Sequence, residues 1–264
     1  MHRLSAFQVL LLILLVAFVV VPIAMPVIFS FSLFWQDILP EGFTLRWYQK
    51  ILAKPATSRS LGVSLIVATS AVLLNLLIAV PAGYAISRLH GRFRRFMTTV
   101  ARVLPLVLPP VIVGTALLLA FSKPPFAFSG TIWMVIVAHT LLGFPFMIRN
   151  TLASFDTIDV DTLSEAAASL GANLWQRLRY VIVPNVLPGV LAGALLVFAI
   201  SIGEFEVTSM VAGFEAQTLP LQLFQQIRND MRIASAISAF LVYVSLVCFL
   251  GMTWLGGYLR ERRA

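Results

Sequence analysis

Glu165–Pro184 reads EAAASLGANLWQRLRYVIVP, a long stretch of mixed polar and apolar residues with strongly apolar runs on both sides. At its start, Thr162 and Glu165 have the S/T-x-x-E spacing of a capping box, in which hydroxyl and carboxylate satisfy the free N–H groups of a helix start. A short helix is expected there, with Leu163, Ala166, Ala167 and Leu170 spaced i, i+3, i+4, i+7 along one face. Gly171 stops it. Asn173, with Gln176 three residues on, suits the cap of a second helix, whose Leu174, Leu178 and Val181 make an apolar stripe beside Arg177 and Arg179. Pro184 opens the next apolar run. The same letters also describe an amphipathic hairpin lying on a membrane surface.

The rest of the chain makes a membrane setting necessary. With 59% hydrophobic residues, a mean hydropathy of +0.94 and 11% charged residues, it cannot present a mostly polar surface to water. An all-α integral membrane protein is the class that remains. The 264 residues suffice for one bundle of several spans and leave little for a soluble domain. The net charge of +8 does not point to nucleic acid, because the basic residues cluster between apolar runs, where they report topology. The single cysteine, Cys248, lies in an apolar run, offers no disulfide or cysteine metal site, and reads as packing.

Taken in order, Met1–Arg3 is a short basic start, and Phe7–Phe34 is uncharged and too long for a signal-peptide core, so it reads as a retained first span bent at Pro22 and Pro26. Asp37–Ser60 is expected as an outer loop, with Trp35, Trp47 and Tyr48 in an aromatic belt. Leu61–Ser87 is span two. Arg88, Arg92, Arg94, Arg95 and Arg102 then give the strongest positive-inside signal in the chain. Val103–Ser122 is span three, with an irregular start at Pro105, Pro109 and Pro110, and Thr131–Ile148 is span four, closed by Arg149. Span five covers Val186–Val211. After an outer loop with Glu215, Arg228 and Asp230, span six covers Ile233–Leu259, and Arg260, Arg262 and Arg263 finish the chain inside. Six spans with both termini cytoplasmic place 12 of the 19 Lys and Arg residues inside, against Arg46, Lys50, Lys54 and Arg59 in the first outer loop.

No Gly-Lys-Ser/Thr phosphate loop exists, so the chain is not its own ATPase. His2, His90 and His139 have neither metal-ligand spacing nor a nucleophile partner, so no catalytic or metal residue is assigned. His139, inside span four, reads first as a helix–helix hydrogen-bonding residue and second as a pathway residue. Glu204 and Glu206 are sharper candidates, since an ionisable group within a span faces a partner or water. On one continuous helix they point roughly 200° apart, so one lines a pathway while the other pairs elsewhere. Alternatively, the span ends near Gly203 and both glutamates sit at the outer interface.

Glu165-Ala166-Ala167, Gly171 and Pro184 resemble the EAA loop of ATP-binding-cassette importer permeases, which in that family forms a cytoplasmic helix-turn-helix seated in a groove of the ATPase subunit. Thr44-Leu45-Arg46-Trp47-Tyr48, Arg88, Pro109-Pro110, Thr218-Leu219-Pro220 and Ile227-Arg228 extend the likeness to most of the chain and are similar to the polyamine, opine and phosphonate branch. In that branch an acid often occupies the position of Glu204, near the substrate path. Gly203 stands where polyamine permeases tend to carry a second acid, and Glu206 supplies one elsewhere.

The resemblance implies a type I importer permease fold with six transmembrane helices, one permease domain over 1–264, and a coupling loop at 162–184. It implies a transport subunit, not an enzyme, in the bacterial inner (plasma) membrane and in contact with lipid. Its partners are a second permease in a heterodimer, two ATP-binding subunits that hold ATP and Mg, and a periplasmic or extracellular substrate-binding protein. This chain itself needs no cofactor. Polyamines, phosphonate compounds, ferric ion and thiamine are the open substrates. Two rivals differ in class. A membrane-embedded enzyme needs convergent polar residues at one depth, which the spans hardly offer; a non-transporting membrane scaffold predicts no ATPase partner.

Overall fold

A computed structural model describes residues 5–34, 40–107 and 109–261. Met1–Arg3, with His2, the outer-loop residues Trp35 and Asp37, and the terminal Arg262 and Arg263 lie outside them. Helix α1 (Ala6–Phe31) leads through a hairpin of β1 (Ser32–Phe34) and β2 (Glu41–Phe43) to α2 (Arg46–Ala53) and α3 (Pro55–Ser87). Then come α4 (Gly91–Val107), α5 (Pro110–Phe121), α6 (Ile132–Phe155), α7 (Val160–Ser169) and α8 (Leu174–Arg177). A π-helical turn, Leu178–Ile182, joins α8 to α9 (Val183–Gly203), which is followed by α10 (Glu206–Val211), α11 (Leu219–Ile227) and α12 (Met231–Glu261). Among the described residues, five helical stretches are long and apolar enough to cross a membrane: Phe7–Phe31, Pro55–Ser87, Ile132–Phe155, Leu174–Gly203 and Met231–Gly251.

The expected third span is therefore corrected. Val103–Ser122 is not one helix but the end of α4, a break, and α5, whose 12 residues cover only about 18 Å. Pro110 causes the break: it has no N–H to donate and disfavours helical backbone in the residue before it, and Pro109 duly takes ψ 138°. Span four also runs further than expected, to Phe155 rather than Ile148, since nothing at Arg149 stops a helix. Span five is shorter than expected. Its helix ends at Gly203, and α10 is a separate turn and a half.

The chain packs as two compact units. In the first, Met1–Arg59 with Gln222–Val244, the described part of the expected outer loop forms β2, α2 and the start of α3. β1 and β2 pair antiparallel, with Ser32 opposite Phe43, and Phe31 stacks on Phe43 with ring centroids 5.4 Å apart. Trp47 was expected in an interfacial belt but is buried. Its Nε1 donates to the Ser32 carbonyl at 2.8 Å, and the Arg232 guanidinium lies 4.7 Å from its ring centre. Tyr48 reaches Ser30 Oγ at 2.6 Å.

The second unit, Ser60–Leu221 with Ser245–Ala264, is organised by α6 against α9. Small residues let the two backbones approach, the packing mode that substitutes for a hydrophobic drive inside lipid. A Cβ on Gly189 would lie 2.5 Å from Ser154 Cβ and 2.7 Å from the Asn150 carbonyl oxygen, and one on Gly193 3.2 Å from Met147 Cα. Gly143 meets Val197 and Asn75 in the same way. Met147, Ile148, Leu152, Ala194 and Val197 form a buried apolar cluster with Ala71 and Ala79 of α3. Ser154 Oγ donates to the Val186 carbonyl at 3.0 Å and ties the end of α6 to the start of α9.

This packing sets a test. Gly189→Ala should destabilise the detergent-solubilised chain by about 1–3 kcal/mol, because neither the Asn150 backbone nor Ser154 Cβ can yield freely. Gly62→Ala, where an added Cβ meets nothing within 4 Å, should be neutral or slightly stabilising. Thermal unfolding of both variants checks this, and equal melting temperatures would contradict the close-approach reading.

Candidate functional site

The segment Val160–Pro184 forms the expected helix-turn-helix, with a different start. Asp159, not Thr162, caps α7: its carboxylate accepts from the Thr162 N–H at 3.1 Å and from the Thr162 hydroxyl at 2.7 Å. Those two bonds hold the Asp159 carboxyl below its usual range. The helix begins at Val160, so Thr162 and Glu165 already lie inside it and form no capping box. A carboxylate at N-cap accepts from N–H groups directly and displaces the weaker hydroxyl three residues on. The buried face is Val160, Ser164 and Ala167; of the expected Leu163, Ala166, Ala167 and Leu170, only Ala167 is buried. Leu163 is half-buried, Ala166 is exposed, and Leu170 is 90% exposed.

Gly171 stops α7 as anticipated. It sits at φ +83°, in the left-handed region, and the backbone closes as a Schellman motif: Gly171 N–H donates to Ala168 O at 2.8 Å and Ala172 N–H to Ala167 O at 3.1 Å. Asn173 and Gln176 form a true capping box, each side chain accepting from the other's backbone N–H at 2.9 Å. Of the second apolar stripe, Leu178 and Val181 pack against the buried cluster of Phe155, Val160, Ile182, Val186 and Val190, while Leu174 is exposed. Arg177 Nη1 donates to the buried Ser164 Oγ at 3.1 Å and locks the two arms together. Beyond it, the helix passes without interruption through the π turn into α9, with Pro184 half-buried at the second position.

The tip is thus rigidly held but apolar. Around the turn Leu170, Leu174 and Trp175 are all at least half exposed, as is Tyr180 further along the second arm, and Glu165 is exposed on α7. The base of the hairpin is tied to the arginine-rich segment, because Arg88 pairs with Asp161 and Arg94 with Asp156 at 3.0 Å. Sequence reasoning missed these pairs and the Ser164–Arg177 bond, although Asp156 just ahead of the hairpin and Asp161 at its start were a visible counter-charge to the arginines.

At the far end of α9 lies the polar group containing His139, Glu204 and Glu206. The helix breaks between Gly203 and Glu206, so the two glutamates do not share one helix and the 200° relation does not apply. Glu204 is half-buried in the break, and its Oε1 accepts from the Val207 N–H at 2.8 Å, one of the free donors at the start of α10. Glu206 is the exposed first residue of α10. His139 is 2% exposed, with Nδ1 2.7 Å from Ser201 Oγ and Nε2 2.8 Å from Thr208 Oγ1. A neutral imidazole offers one donor and one acceptor for these two hydroxyls. It therefore links α6 to both sides of the break. Ser201 and Thr208 are the residues sequence reasoning missed here; the signal was two hydroxyls flanking an acid in an otherwise apolar run.

Known proteins share this sequence and fold. A permease protein assigned to a 2-aminoethylphosphonate transport system, PhnV of Salmonella choleraesuis, is 32% identical over 249 residues, covering 92% of this chain and 93% of that protein. The putrescine transport system permease protein PotI of Escherichia coli is 30% identical, covering 93% and 89%. A chain of a bacterial ABC transporter involved in the import of the acidic polysaccharide alginate has the same fold, with a TM-score of 0.74 at 16% identity over 96% of this chain and 94% of that one. With residues 79–264 matching its family pattern, the chain belongs to the binding-protein-dependent transport system inner membrane components and is the permease subunit of an ABC importer.

Proposed function

We propose that the chain acts as one permease domain whose Val160–Pro184 hairpin receives the stroke of a separate ATPase and passes it along α9 to the break at Glu204. The observation that carries this reading is the hairpin itself: an apolar, exposed tip on a turn fixed by Gly171, the Asn173–Gln176 box and the Ser164–Arg177 bond. An apolar knob on a rigid stem is built to seat in a partner's groove. The stem enters α9 through the π turn at Leu178–Ile182 with no non-helical residue between, and the 21 residues of α9 run about 30 Å to Gly203. In this reading the hairpin and the arginines of α4 face the cytoplasm, as do both termini, α4 and α5 together make the sixth crossing, and Glu215 faces outward. A second permease, two ATPase subunits that bind ATP and Mg, and an external binding protein complete the transporter. ATP-driven closure of the ATPases rocks the spans from inward-open to outward-open, and the binding protein then releases its cargo.

The substrate reading rests on Glu204. The relatives named above handle 2-aminoethylphosphonate and putrescine, and both molecules carry a primary ammonium group. A half-buried carboxylate at a helix break suits an ammonium, whose charge offsets its desolvation. A small solute bearing an ammonium group is therefore the proposed cargo, with His139 holding the break in place and Glu206 outside the contact.

Two experiments test these assignments. Gly171→Pro, which cannot adopt φ +83° and lacks the N–H bonded to Ala168, and Glu165→Ala, which removes an exposed carboxylate, should both lower substrate-stimulated ATP hydrolysis in the reconstituted complex while membrane insertion is retained. Asp159→Ala should loosen the start of α7 by about 1 kcal/mol, seen as faster amide exchange across 160–169, where Glu165→Ala should not. Undiminished hydrolysis in both of the first two variants would remove the coupling role. For the substrate, Glu204→Gln should reduce uptake of an ammonium-bearing solute severalfold, and Glu206→Gln should matter less. Normal uptake in Glu204→Gln together with failure of Glu206→Gln would place the pathway elsewhere.

A further inference from the structure

The arginines of α4 do more than mark a side of the membrane. Arg92, Arg94 and Arg95 fall within its first five residues, where the positive end of the helix dipole opposes them. With Thr98, Thr99 and Asp156 they line an open groove of about 670 Å³. Asp156 answers Arg94 at 3.0 Å; among the described residues, Arg92 and Arg95 make no ion pair. Topology alone requires positive charge, not its convergence on one concave surface beside two hydroxyls. The groove has donors for an anion and a single acid.

The neighbouring face of the same helix identifies the anion's carrier. Phe93, Phe96, Val100 and Val103 recur at i, i+3, i+7, i+10 and are 56%, 58%, 36% and 51% exposed, so one side of α4 is an uncovered apolar stripe adjoining the basic groove. Arginines beside exposed apolar residues at the start of α4 set that end of the helix at the boundary between headgroups and acyl chains, from which the rest of the stripe continues inward. Guanidinium forks match phosphate oxygens, and threonine hydroxyls add donors at the same depth. We propose that this groove is a binding site for an anionic phospholipid headgroup, held by Arg92 and Arg95 with Thr98 and Thr99, while Phe93 and Phe96 sit among its acyl chains. Since Arg94–Asp156 ties α4, and Arg88–Asp161 the turn just before it, to the base of the hairpin, a bound lipid stiffens the platform from which the hairpin projects. The inference needs only that the chain lies in a membrane and does not depend on the coupling mechanism above.

The test uses the full chain in a zwitterionic detergent, titrated with short-chain phosphatidylglycerol, short-chain phosphatidylcholine and inorganic phosphate, with binding read by calorimetry and by the rise in melting temperature. Phosphatidylglycerol should bind and stabilise, and phosphatidylcholine should not. Arg92→Gln with Arg95→Gln should weaken phosphatidylglycerol about 25-fold, from roughly fivefold per arginine near an anionic surface. Arg92→Lys with Arg95→Lys should fall between, because charge remains but the fork is lost; this variant also covers a failure of the glutamine pair to fold. Lys54→Gln with Arg59→Gln should bind as the unaltered chain does. Equal phosphatidylglycerol affinity in the glutamine and unaltered chains would overturn the site. Inorganic phosphate binding as tightly as phosphatidylglycerol would overturn the lipid assignment in favour of a soluble anion, and loss of phosphatidylglycerol when the partner ATPase is added would reassign the groove to that protein.

Discussion

The close approach of α6 and α9 is the constraint on which the second unit depends. Gly143 on α6 and Gly189 and Gly193 on α9 leave room only for hydrogen, so the two helices touch backbone to side chain over most of their length. Inside lipid such contact is favoured by dispersion and by hydrogen bonds that have no water to compete with them. Ser154 to the Val186 carbonyl closes one end, and His139 to Ser201 closes the other. Helix α9 is thereby held along its length by one neighbour, and the polar features at its two ends are fixed relative to each other.

That fixity gives the ends their meaning. At one end the chain enters α9 from the hairpin without a flexible linker, since the π turn at Leu178–Ile182 keeps the helix continuous and buries Ile182. At the other the helix stops at Gly203, and Glu204 accepts from the Val207 N–H at the start of α10 while Thr208 joins His139. A break in a transmembrane helix exposes backbone groups that need partners; here the Glu204 carboxylate accepts from the Val207 N–H, and the Thr208 and Ser209 hydroxyls donate to the Glu204 and Glu206 carbonyls. The same carboxylate is the group proposed to meet the cargo, so the device that stabilises the break also places a charge at it.

Much of this was legible in sequence, for identifiable reasons. The turn of the hairpin could be read because Gly171 and the Asn173–Gln176 pair act locally, through φ and through bonds three residues apart. The membrane class followed from composition, and five long apolar helices stand where apolar runs predicted them. What misled were competitions between local signals. Thr162 and Glu165 had the spacing of a cap, but Asp159 lay upstream as a better acceptor. The apolar run Val186–Val211 looked like one helix because hydropathy does not register the stop at Gly203–Glu204, and the run at Val103–Ser122 concealed the proline break. Trp47 and Tyr48 had the look of belt residues, and only tertiary structure could show that Ser32 and Ser30 draw them inward. The partners of His139 lie 62 and 69 residues away in sequence, beyond any local pattern.

The central claim is that hairpin and α9 move as one body. Spin labels at Leu170, on the exposed tip, and at Leu196, on an exposed face of α9, report it directly when their separation is measured by pulsed dipolar spectroscopy in the assembled transporter without nucleotide and with ATP. The account predicts one narrow distance distribution, unchanged between the two states. A shift or broadening on ATP binding would mean that the hairpin swings on its own joint, and would contradict the account.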